Sequence, residues 1–180
     1  MTDDHDTDDL VVLVNEAGEP IGSADRETIH GPDTPLHPAF SCYLFDRHGR
    51  VLLTRRALTK RSWPGVWTNA FCGHPRPGET VQEAIRRRGR EELGIEIGRL
   101  SPVLPEFRYR AVDPAGVVEH ERCPVYSAEL ESELDPNPDE VAAYGWVDRA
   151  ELRHIAASAP FLLSPWVIEQ LAQWPRDPLG

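Results

Sequence analysis

One helix with clear start and stop signals constrains the fold of this chain more than any other feature of its sequence. Thr80 is followed three residues later by Glu83, which is the pattern of a capping box. Gly94 suits the left-handed residue that often follows the last turn of a helix. The residues expected on the buried stripe of this helix are Val81, Ala84 and Ile85. The sequence therefore predicts an amphipathic helix that spans residues 80–94.

The other predicted elements are short strands and two further helices. Strands are predicted near residues 10–14, 66–72, 106–111, 117–128 and 142–147, with a hairpin at 39–54 and a proline-containing loop at 26–39. Asp148 with Glu151 predicts the start of a second helix, and Ser164-Pro165 predicts a third that ends near Trp174. Hairpins with segregated helices are typical of an α+β fold, here a mixed or antiparallel sheet packed by helices.

The chain length and the terminal sequences suggest one domain with two tails. The 180 residues are enough for a single sizeable core. Residues 1–9 are rich in aspartate and are predicted to be a disordered acidic tail, and residues 176–180 a C-terminal tail. We therefore expect a single domain over residues 10–175.

Composition argues against several classes of protein. The formal net charge of −11 disfavours a nucleic-acid partner, and the absence of an 18-residue apolar run disfavours a membrane span. The acidic N-terminus does not resemble a signal peptide. Three cysteines are too few and too unpatterned for a disulfide framework, which predicts free thiols in a reducing, cytoplasmic compartment.

Two clusters of charge stand out from this acidic background. Glu91 and Glu92 occupy the last turn of the predicted helix, where acids oppose the helix dipole, and arginines surround them. They either form ion pairs on an exposed helix or face a bound cation and phosphate. The second cluster holds four cations within seven residues and is either a solvated loop or a grip for a small anion: Arg55, Arg56, Lys60 and Arg61.

The spacing around the helix resembles the Nudix box, a loop–helix–loop that holds divalent cations against a diphosphate. The pattern G-x5-E-x7-R-x3-E-E-x-G is matched by Gly73, Glu79, Arg87, Glu91, Glu92 and Gly94. Two positions depart from it, since Arg88 replaces a glutamate and Gly89 replaces an apolar residue. In the hydrolases that glutamate helps to hold the catalytic cations. We interpret Arg88 as a phosphate-binding cation that has replaced a metal ligand.

Metal-binding chemistry is also suggested by two pairs of residues on predicted strands. Cys72 and His74, like Glu119 and Glu121, are separated by one residue, so each pair points to one face of an extended strand. A set of three histidines and two glutamates would suit Mn²⁺, Zn²⁺ or Mg²⁺ with one open position: His30, His37, His74, Glu119 and Glu121. The remaining histidines, and the thiols of Cys42 and Cys123, are interpreted as structural.

Several longer stretches are similar to the type 1 isopentenyl-diphosphate Δ-isomerases, a Nudix-fold family. The stretches are residues 63–69 (WPGVWTN), 72–75 (CGHP), 107–111 (FRYRA) and 164–166 (SPW). The resemblance covers residues 10–175 and implies a Nudix-like fold, with interconversion of isopentenyl and dimethylallyl diphosphate in isoprenoid biosynthesis. It leaves the oligomeric state open.

The resemblance also implies roles for individual residues. Cys72 and Glu121 would transfer protons, with Tyr109 assisting Glu121. The residues implied to bind the substrate are Arg26, Arg56, Lys60, Arg88 and Trp166, although Arg26 stands where the family often has lysine. The implied metal ligands are His30, His37, His74, Glu119 and Glu121 for Mn²⁺, or alternatively Zn²⁺ or Mg²⁺, and Glu92 for a Mg²⁺ that arrives with the diphosphate.

The chemistry of that reaction requires residues of these types. Moving an unactivated double bond needs a proton added at one carbon and another removed two carbons away, so the site needs an acid and a base. The tertiary carbocation between the two steps needs walls that exclude water, and Trp166 or Trp67 could offer a ring face to it. The rival interpretations are a Nudix pyrophosphohydrolase of a nucleoside diphosphate derivative and a non-catalytic metal- or diphosphate-binding module.

Overall fold

The computed structural model describes residues 10–26 and 28–175, and the two predicted tails lie outside the described residues. The described residues form three α-helices, a short 3₁₀ helix (Pro160–Leu162) and twelve strands in an α+β order. The strands are β1 (Leu10–Val14), β2 (Pro20–Asp25), β3 (His37–Pro38), β4 (Phe40–Phe45), β5 (Val51–Arg56), β6 (Trp67–Thr68), β7 (Phe71–Gly73), β8 (Ile97–Leu104), β9 (Arg108–Val112), β10 (Val118–Arg122), β11 (Val125–Leu130) and β12 (Val141–Val147). The helices are α1 (Val81–Leu93), α2 (Arg149–Ser158) and α3 (Pro165–Gln173).

The strands form three sheets, of which the largest organises the molecule. Its strand order is β12-β5-β4-β11-β8, with β6 paired to β5 and β7 paired to β4. It is mixed, because β11 runs parallel to β4 while the other pairs are antiparallel. A smaller sheet has the order β3-β10-β9, and β1 with β2 forms a separate hairpin. The predicted mixed sheet packed by helices is therefore confirmed.

Strand β4 is buried on both faces and separates two apolar cores. Phe40 and Leu44 pack with the apolar face of α1 in one core. Tyr43 and Phe45 pack in the other core with α2, α3 and strand β9. This alternation explains why every residue of β4 is buried, since its side chains point in turn to the two helical layers.

Helix α1 begins and ends where the sequence predicts. Thr80 accepts a hydrogen bond from the backbone of Glu83, whose side chain in turn accepts from the Thr80 backbone at 2.9 Å. Gly94 adopts φ = 64°, the left-handed conformation that ends the helix. Gly89, the departure from the box, lies where a Cβ would come within 2.8 Å of Ile97 Cδ1. A larger side chain there would require the Ile97 side chain to move.

Several strand predictions need correction. The predicted strand at 66–72 is two short strands, β6 and β7, which pair with different neighbours, β5 and β4. The predicted strand at 117–128 is two strands in different sheets, β10 and β11, because Pro124 cannot donate to a ladder and the chain changes sheet there. Strands β4 and β5 form the predicted hairpin, but they pair only at Phe45 and Val51 before β6 and β7 take their place. The predicted loop at 26–39 contains the short strand β3, and strands β2 and β8 were not predicted.

Membrane insertion through a helix has no support in this fold. Across residues 10–26 and 28–175, the structure contains no helix with the length and apolar character needed to cross a bilayer.

Candidate active site

One cavity of about 180 Å³ brings together side chains from both larger sheets, from helices α1 and α3 and from two loops. Eleven of the 13 predicted site residues line it, and the exceptions are His37 and Glu92. The lining residues are Arg26, His30, Arg56, Lys60, Arg61, Ser62, Cys72, Gly73, His74, Arg88, Tyr109, Glu119, Glu121 and Trp166.

Four of the five predicted ligands of the histidine and glutamate site form a compact group. The ligand atoms of His30, His37, His74 and Glu121 all lie within 4.8 Å of one another, and we call this group the His/Glu cluster. The distance from His74 Nε2 to Glu121 Oε1 is 3.1 Å, and from His37 Nε2 to His74 Nε2 it is 3.2 Å. Glu119 lies beside the cluster, with its Oε2 3.1 Å from His30 Nε2.

Local strand structure explains this convergence. Glu119 and Glu121 lie on β10 with one residue between them, so both face the cavity as the alternation predicts. His37 is brought to Glu121 by the parallel pairing of β3 with β10, in which the two residues are register partners. His74 directly follows β7, two residues after Cys72.

The hydrogen-bonding states of the cluster fit a divalent cation. The ring of His37 contacts the backbone oxygen of Pro35 through Nδ1 at 2.9 Å, which places the proton there and leaves Nε2 with a lone pair facing His74. His30 Nε2 is buried, and among residues 10–26 and 28–175 its contact with Glu119 Oε2 at 3.1 Å lacks the geometry of a hydrogen bond. Imidazole nitrogens beside a carboxylate are suitable ligands for a divalent metal ion.

Electrostatics in the cluster favours an ionised carboxylate. Burial opposes the charge of Glu121, but hydrogen bonds and attraction from His37 and His74 outweigh it and hold the pKa of Glu121 well below its usual range. Burial lowers the pKa of His74. Burial also opposes a charge on His37, yet attraction from the carboxylate of Glu121, 3.6 Å from Nε2, raises the pKa of His37 above the ordinary value.

Five basic residues line the cavity and form what we call the cationic set: Arg26, Arg56, Lys60, Arg61 and Arg88. Arg56 is anchored by its Nη2 donating to the Ser62 carbonyl at 2.8 Å, and its guanidinium lies 5.9 Å from the ring centroid of Trp166. Burial lowers the pKa of Lys60 to about 8, and nearby guanidinium groups add to the effect. The 55–61 segment is therefore not a solvated loop throughout, although Arg55 turns outward to the Gly65 carbonyl.

The end of α1 is an ion-pair network that is largely buried. Arg88 is 5% exposed and pairs with Glu92 and with Glu91, at 2.9 Å for the latter. Glu140 bridges two cations, because it contacts both Arg88, at 3.3 Å, and Lys60. The interpretation of α1 as an exposed helix with internal ion pairs is therefore only half right. The ion pairs exist, but Arg88 also faces the cavity.

Glu79 and Arg87, which occupy two positions of the Nudix box pattern, hold the loop that follows β7. Arg87 donates two hydrogen bonds of 2.8 Å to the carboxylate of Glu79 and a third, of 3.2 Å, to the backbone oxygen of His74. This geometry ties helix α1 to the segment that carries a ligand of the His/Glu cluster.

The Cys72 thiol sits among buried polar groups. Its Sγ lies 3.3 Å from Ser41 Oγ and 3.4 Å from Asn69 Oδ1. Burial raises the pKa of Cys72 to about 12, against the partial opposition of those two hydrogen bonds. At neutral pH this residue is therefore a protonated thiol facing the cavity. The prediction that Cys42 and Cys123 are buried is confirmed, and all three cysteines are free.

Two aromatic residues complete the cavity. Trp166 is 2% exposed, its Nε1 donates to Asn69 Oδ1 at 3.1 Å, and its ring lies 5.7 Å from that of Tyr109. Burial and the nearby carboxylates raise the pKa of Tyr109 well above its usual value, so its hydroxyl stays protonated. Trp67, the other aromatic suggested for this wall, is not among the lining residues. Trp63 does not line the cavity either, but its ring packs edge-on against Trp166, with 5.9 Å between the ring centroids.

Sequence reasoning missed the residues that support the site. Ser41, Asn69 and Glu140 contact cavity residues, and neither Ser41 nor Glu140 belongs to a local pattern that marks it. Ser62 contacts Glu119 and Arg56, and so links the His/Glu cluster to the cationic set. A signal was available for Asn69, which ends one of the quoted stretches, and for Ser62, which lies in the basic segment.

Comparison with protein families and curated proteins gives consistent matches. The family model of the NUDIX domain matches residues 35–167. A protein of Agromyces mediolanus named isopentenyl-diphosphate Delta-isomerase is 55% identical over 162 residues, covering 90% of this chain and 79% of the relative. A protein of the same name from Leifsonia xyli subsp. xyli is 57% identical over 163 residues, covering 89% of this chain and 88% of the relative.

Solved structures agree on the fold. The crystal structure of DR0079 from Deinococcus radiodurans aligns with a TM-score of 0.70 at 22% identity, covering 93% of this chain and 99% of that one. The MutT protein from Methanosarcina mazei Go1 aligns with a TM-score of 0.62 at 19% identity, covering 81% and 97%. At these identities the likeness concerns the fold alone.

Proposed function

The chain belongs to the Nudix family and, within it, to the isopentenyl-diphosphate Δ-isomerases, and we propose that Cys72 and Glu121 are its proton-transferring pair. The enzyme converts isopentenyl diphosphate to dimethylallyl diphosphate. A proton is added to the terminal carbon of the double bond, and another is lost two carbons away. The intermediate is a tertiary carbocation, and the reverse reaction exchanges the roles of acid and base.

The observation that carries this assignment is that Cys72 and Glu121 come from different sheets and line the same cavity. Their ionisation states are complementary, because the pKa of Cys72 is raised to about 12 while that of Glu121 is held well below its usual range. A protonated thiol and an ionised carboxylate form an acid–base pair suited to adding and removing protons. Tyr109, register partner of Glu121 across β9 and β10, is placed to assist that carboxylate.

The His/Glu cluster is proposed to hold the resident divalent cation, with His30, His37, His74, Glu121 and the adjacent Glu119 as ligands. Such a cation supplies positive charge that keeps Glu121 oriented and ionised. We assign Mn²⁺ first and Zn²⁺ or Mg²⁺ as alternatives on the basis of the mixed nitrogen and oxygen donors. The chain's own contribution is to fix the histidine tautomers, as the Pro35 carbonyl does for His37.

The cationic set is proposed to bind the diphosphate. Arg26, Arg56, Lys60 and Arg88 line the cavity, and the partners that Lys60 and Arg88 now have are protein carboxylates. A diphosphate can replace those carboxylates on the cations, which leaves Glu92 available to a Mg²⁺ that accompanies the substrate. Binding energy is thereby gained far from the reacting carbons.

Trp166 is proposed to face the hydrocarbon part of the substrate. The ring is almost completely buried, lines the cavity and packs edge-on against Trp63. A dry aromatic face both excludes water and stabilises a carbocation by a cation–π interaction of about 2 kcal/mol.

Proton NMR in heavy water tests the function directly. Incubation of the protein with isopentenyl diphosphate and Mg²⁺ should give dimethylallyl diphosphate that carries deuterium, because the added proton comes from an exchangeable group. Release of phosphate would instead indicate the pyrophosphohydrolase, and an unchanged spectrum the non-catalytic module. Either of the last two outcomes would contradict the proposal.

Metal exchange tests the His/Glu cluster. A strong chelator should abolish turnover, and addition of Mn²⁺, Zn²⁺ or Mg²⁺ one at a time should identify the cation that restores it. Elemental analysis before and after chelation gives the metal content. A fully active preparation without bound metal would contradict this part of the proposal.

The three unpaired cysteines support our further proposal that the enzyme works in the reducing cytoplasm.

A further inference from the structure

Asn69 lies between two residues of the active site and touches both with one oxygen atom. It is completely buried in the segment that joins β6 and β7. Its side-chain amide donates to the backbone oxygens of Cys42, at 3.0 Å, and Phe71, at 2.8 Å. Both amide hydrogens are therefore used, which fixes the orientation of the carboxamide and points Oδ1 away from those two carbonyls.

The Oδ1 atom of Asn69 gathers three donors. Trp166 Nε1 donates to it at 3.1 Å, Thr68 Oγ1 at 2.9 Å and the Cys72 thiol at 3.4 Å. The indole has a single N–H and can only donate, so its side of the contact is unambiguous. One carbonyl oxygen thus links the proposed acid to the proposed aromatic wall.

The other polar neighbour of Cys72 completes the arrangement. Gln170 Nε2 donates to Ser41 Oγ at 2.9 Å, so the hydroxyl hydrogen of Ser41 is left to point at a sulfur atom. Ser41 Oγ lies 3.3 Å from Cys72 Sγ and 3.5 Å from Cys123 Sγ. The Cys72 thiol therefore has two polar neighbours: Asn69 Oδ1, which can only accept its hydrogen, and Ser41 Oγ, which can donate or accept.

We propose that Asn69 is a positioning residue for the isomerisation: its carboxamide oxygen orients the Cys72 S–H and the Trp166 indole relative to each other. This inference rests on the proposed function. Proton transfer to a carbon atom requires a narrow range of directions, because carbon offers no lone pair to guide the approach. A buried amide with both hydrogens fixed by the backbone restricts that direction without taking part in the chemistry.

The S–H stretching vibration of Cys72 is the direct readout. It is measured as an infrared difference between wild-type enzyme and the Cys72→Ala variant, both with their bound metal and Mg²⁺. We expect a band at lower frequency than that of an unbonded thiol, which Asn69→Ala moves upward and Ser41→Ala leaves in place. A wild-type band at the unbonded position, or one that moves in Ser41→Ala instead, would overturn the proposal.

Kinetics distinguish positioning from binding. Asn69→Ala should lower kcat by about 10- to 100-fold, the loss expected when a reacting group is misplaced by about 1 Å, and should leave KM within about twofold. A kcat close to that of wild type in a folded Asn69→Ala variant would contradict the inference. Absence of isomerase activity in the wild-type protein would instead contradict the proposed function, so failure of the inference and failure of the proposed function are distinguishable.

Thr54→Val is a matched control for loss of a buried hydrogen bond nearby. Thr54 Oγ1 donates to the backbone oxygens of Asn69 and Ala70, at 3.0 and 3.1 Å, and does not contact the Asn69 side chain. The Thr54→Val variant should be less stable than the wild type and leave the S–H band unmoved.

If Asn69→Ala fails to fold, the Thr68→Val variant replaces it as the test. Removal of a competing donor should strengthen the thiol contact and move the band to lower frequency, and an unmoved band would overturn the proposal.

Discussion

The cationic set and the Cys72 thiol line one cavity but are held in different ways. Lys60 and Arg88 are held by carboxylates, since Glu140 bridges them and Glu92 pairs with Arg88. The thiol is held by uncharged groups, Ser41 and Asn69, which are themselves fixed in the core. Carboxylate partners can be replaced by the phosphates of a substrate, whereas buried neutral hydrogen bonds keep a reacting group in one orientation.

This difference predicts that substrate affinity and chemistry can be changed separately. Variants in the cationic set should act mainly on KM, and variants around the thiol mainly on kcat.

Cys72→Ala should have the largest effect. Because the thiol transfers a proton and does not contact the diphosphate, kcat should fall by about 10²–10⁴-fold while KM changes little. Cys42→Ala is the control, since Cys42 is a fully buried thiol that packs in the opposite core and does not line the cavity. Steady-state kinetics of both variants provide the measurement, and a Cys72→Ala variant with more than about a tenth of wild-type turnover would exclude the role.

Substitution of Trp166 separates the contribution of its aromatic face to catalysis from its contribution to packing. Loss of about 2 kcal/mol of cation–π stabilisation would slow turnover roughly 30-fold, which predicts the order Trp, Phe, Leu for kcat. Phe and Leu both lack the Nε1 donor to Asn69, so the difference between these two variants reports the π-face alone. Equal kcat values for Phe and Leu would leave Trp166 as a packing residue.

Arg88→Glu should act on affinity. It removes a guanidinium from the cationic set and places a carboxylate beside Glu91 and Glu92, so KM should rise by at least about tenfold. Phosphate release should stay negligible, because a restored carboxylate does not orient a water molecule. Arg90→Glu is the control on an exposed position of the same helix. An unchanged KM in Arg88→Glu would show that Arg88 does not bind the substrate.

The titration of Lys60 should have the smallest effect on the kinetics. With its pKa lowered to about 8, Lys60 is charged below that pH and loses its charge above it. We therefore expect kcat/KM to fall by at most about tenfold per pH unit above pH 8, through a rise in KM, with kcat nearly constant. Lys60→Arg stays charged and should remove this limb of the profile. A limb that persists in Lys60→Arg would assign it to another group.

The sequence was sufficient to predict the ends of an element where residues close by in the chain define those ends. The start and end of α1 follow from Thr80, Glu83 and Gly94, because caps satisfy backbone groups only a few residues away. Strand alternation likewise predicted that Glu119 and Glu121 face one way. The strands were harder, since Pro124 moves the chain between sheets and that change depends on pairing partners far along the chain.

The sequence by itself determined the residue types that the chemistry needs and the family in which they occur. Only the tertiary structure decided how those residues are held. The parallel pairing of β3 with β10 brings His37 to Glu121, and β12 delivers Glu140 to Lys60 and Arg88. Asn69 reaches Cys72 and Trp166 at once because α3 packs against the β6–β7 segment. Apart from the contact between Asn69 and Cys72, these contacts join residues that are distant in sequence, so no local pattern encodes them.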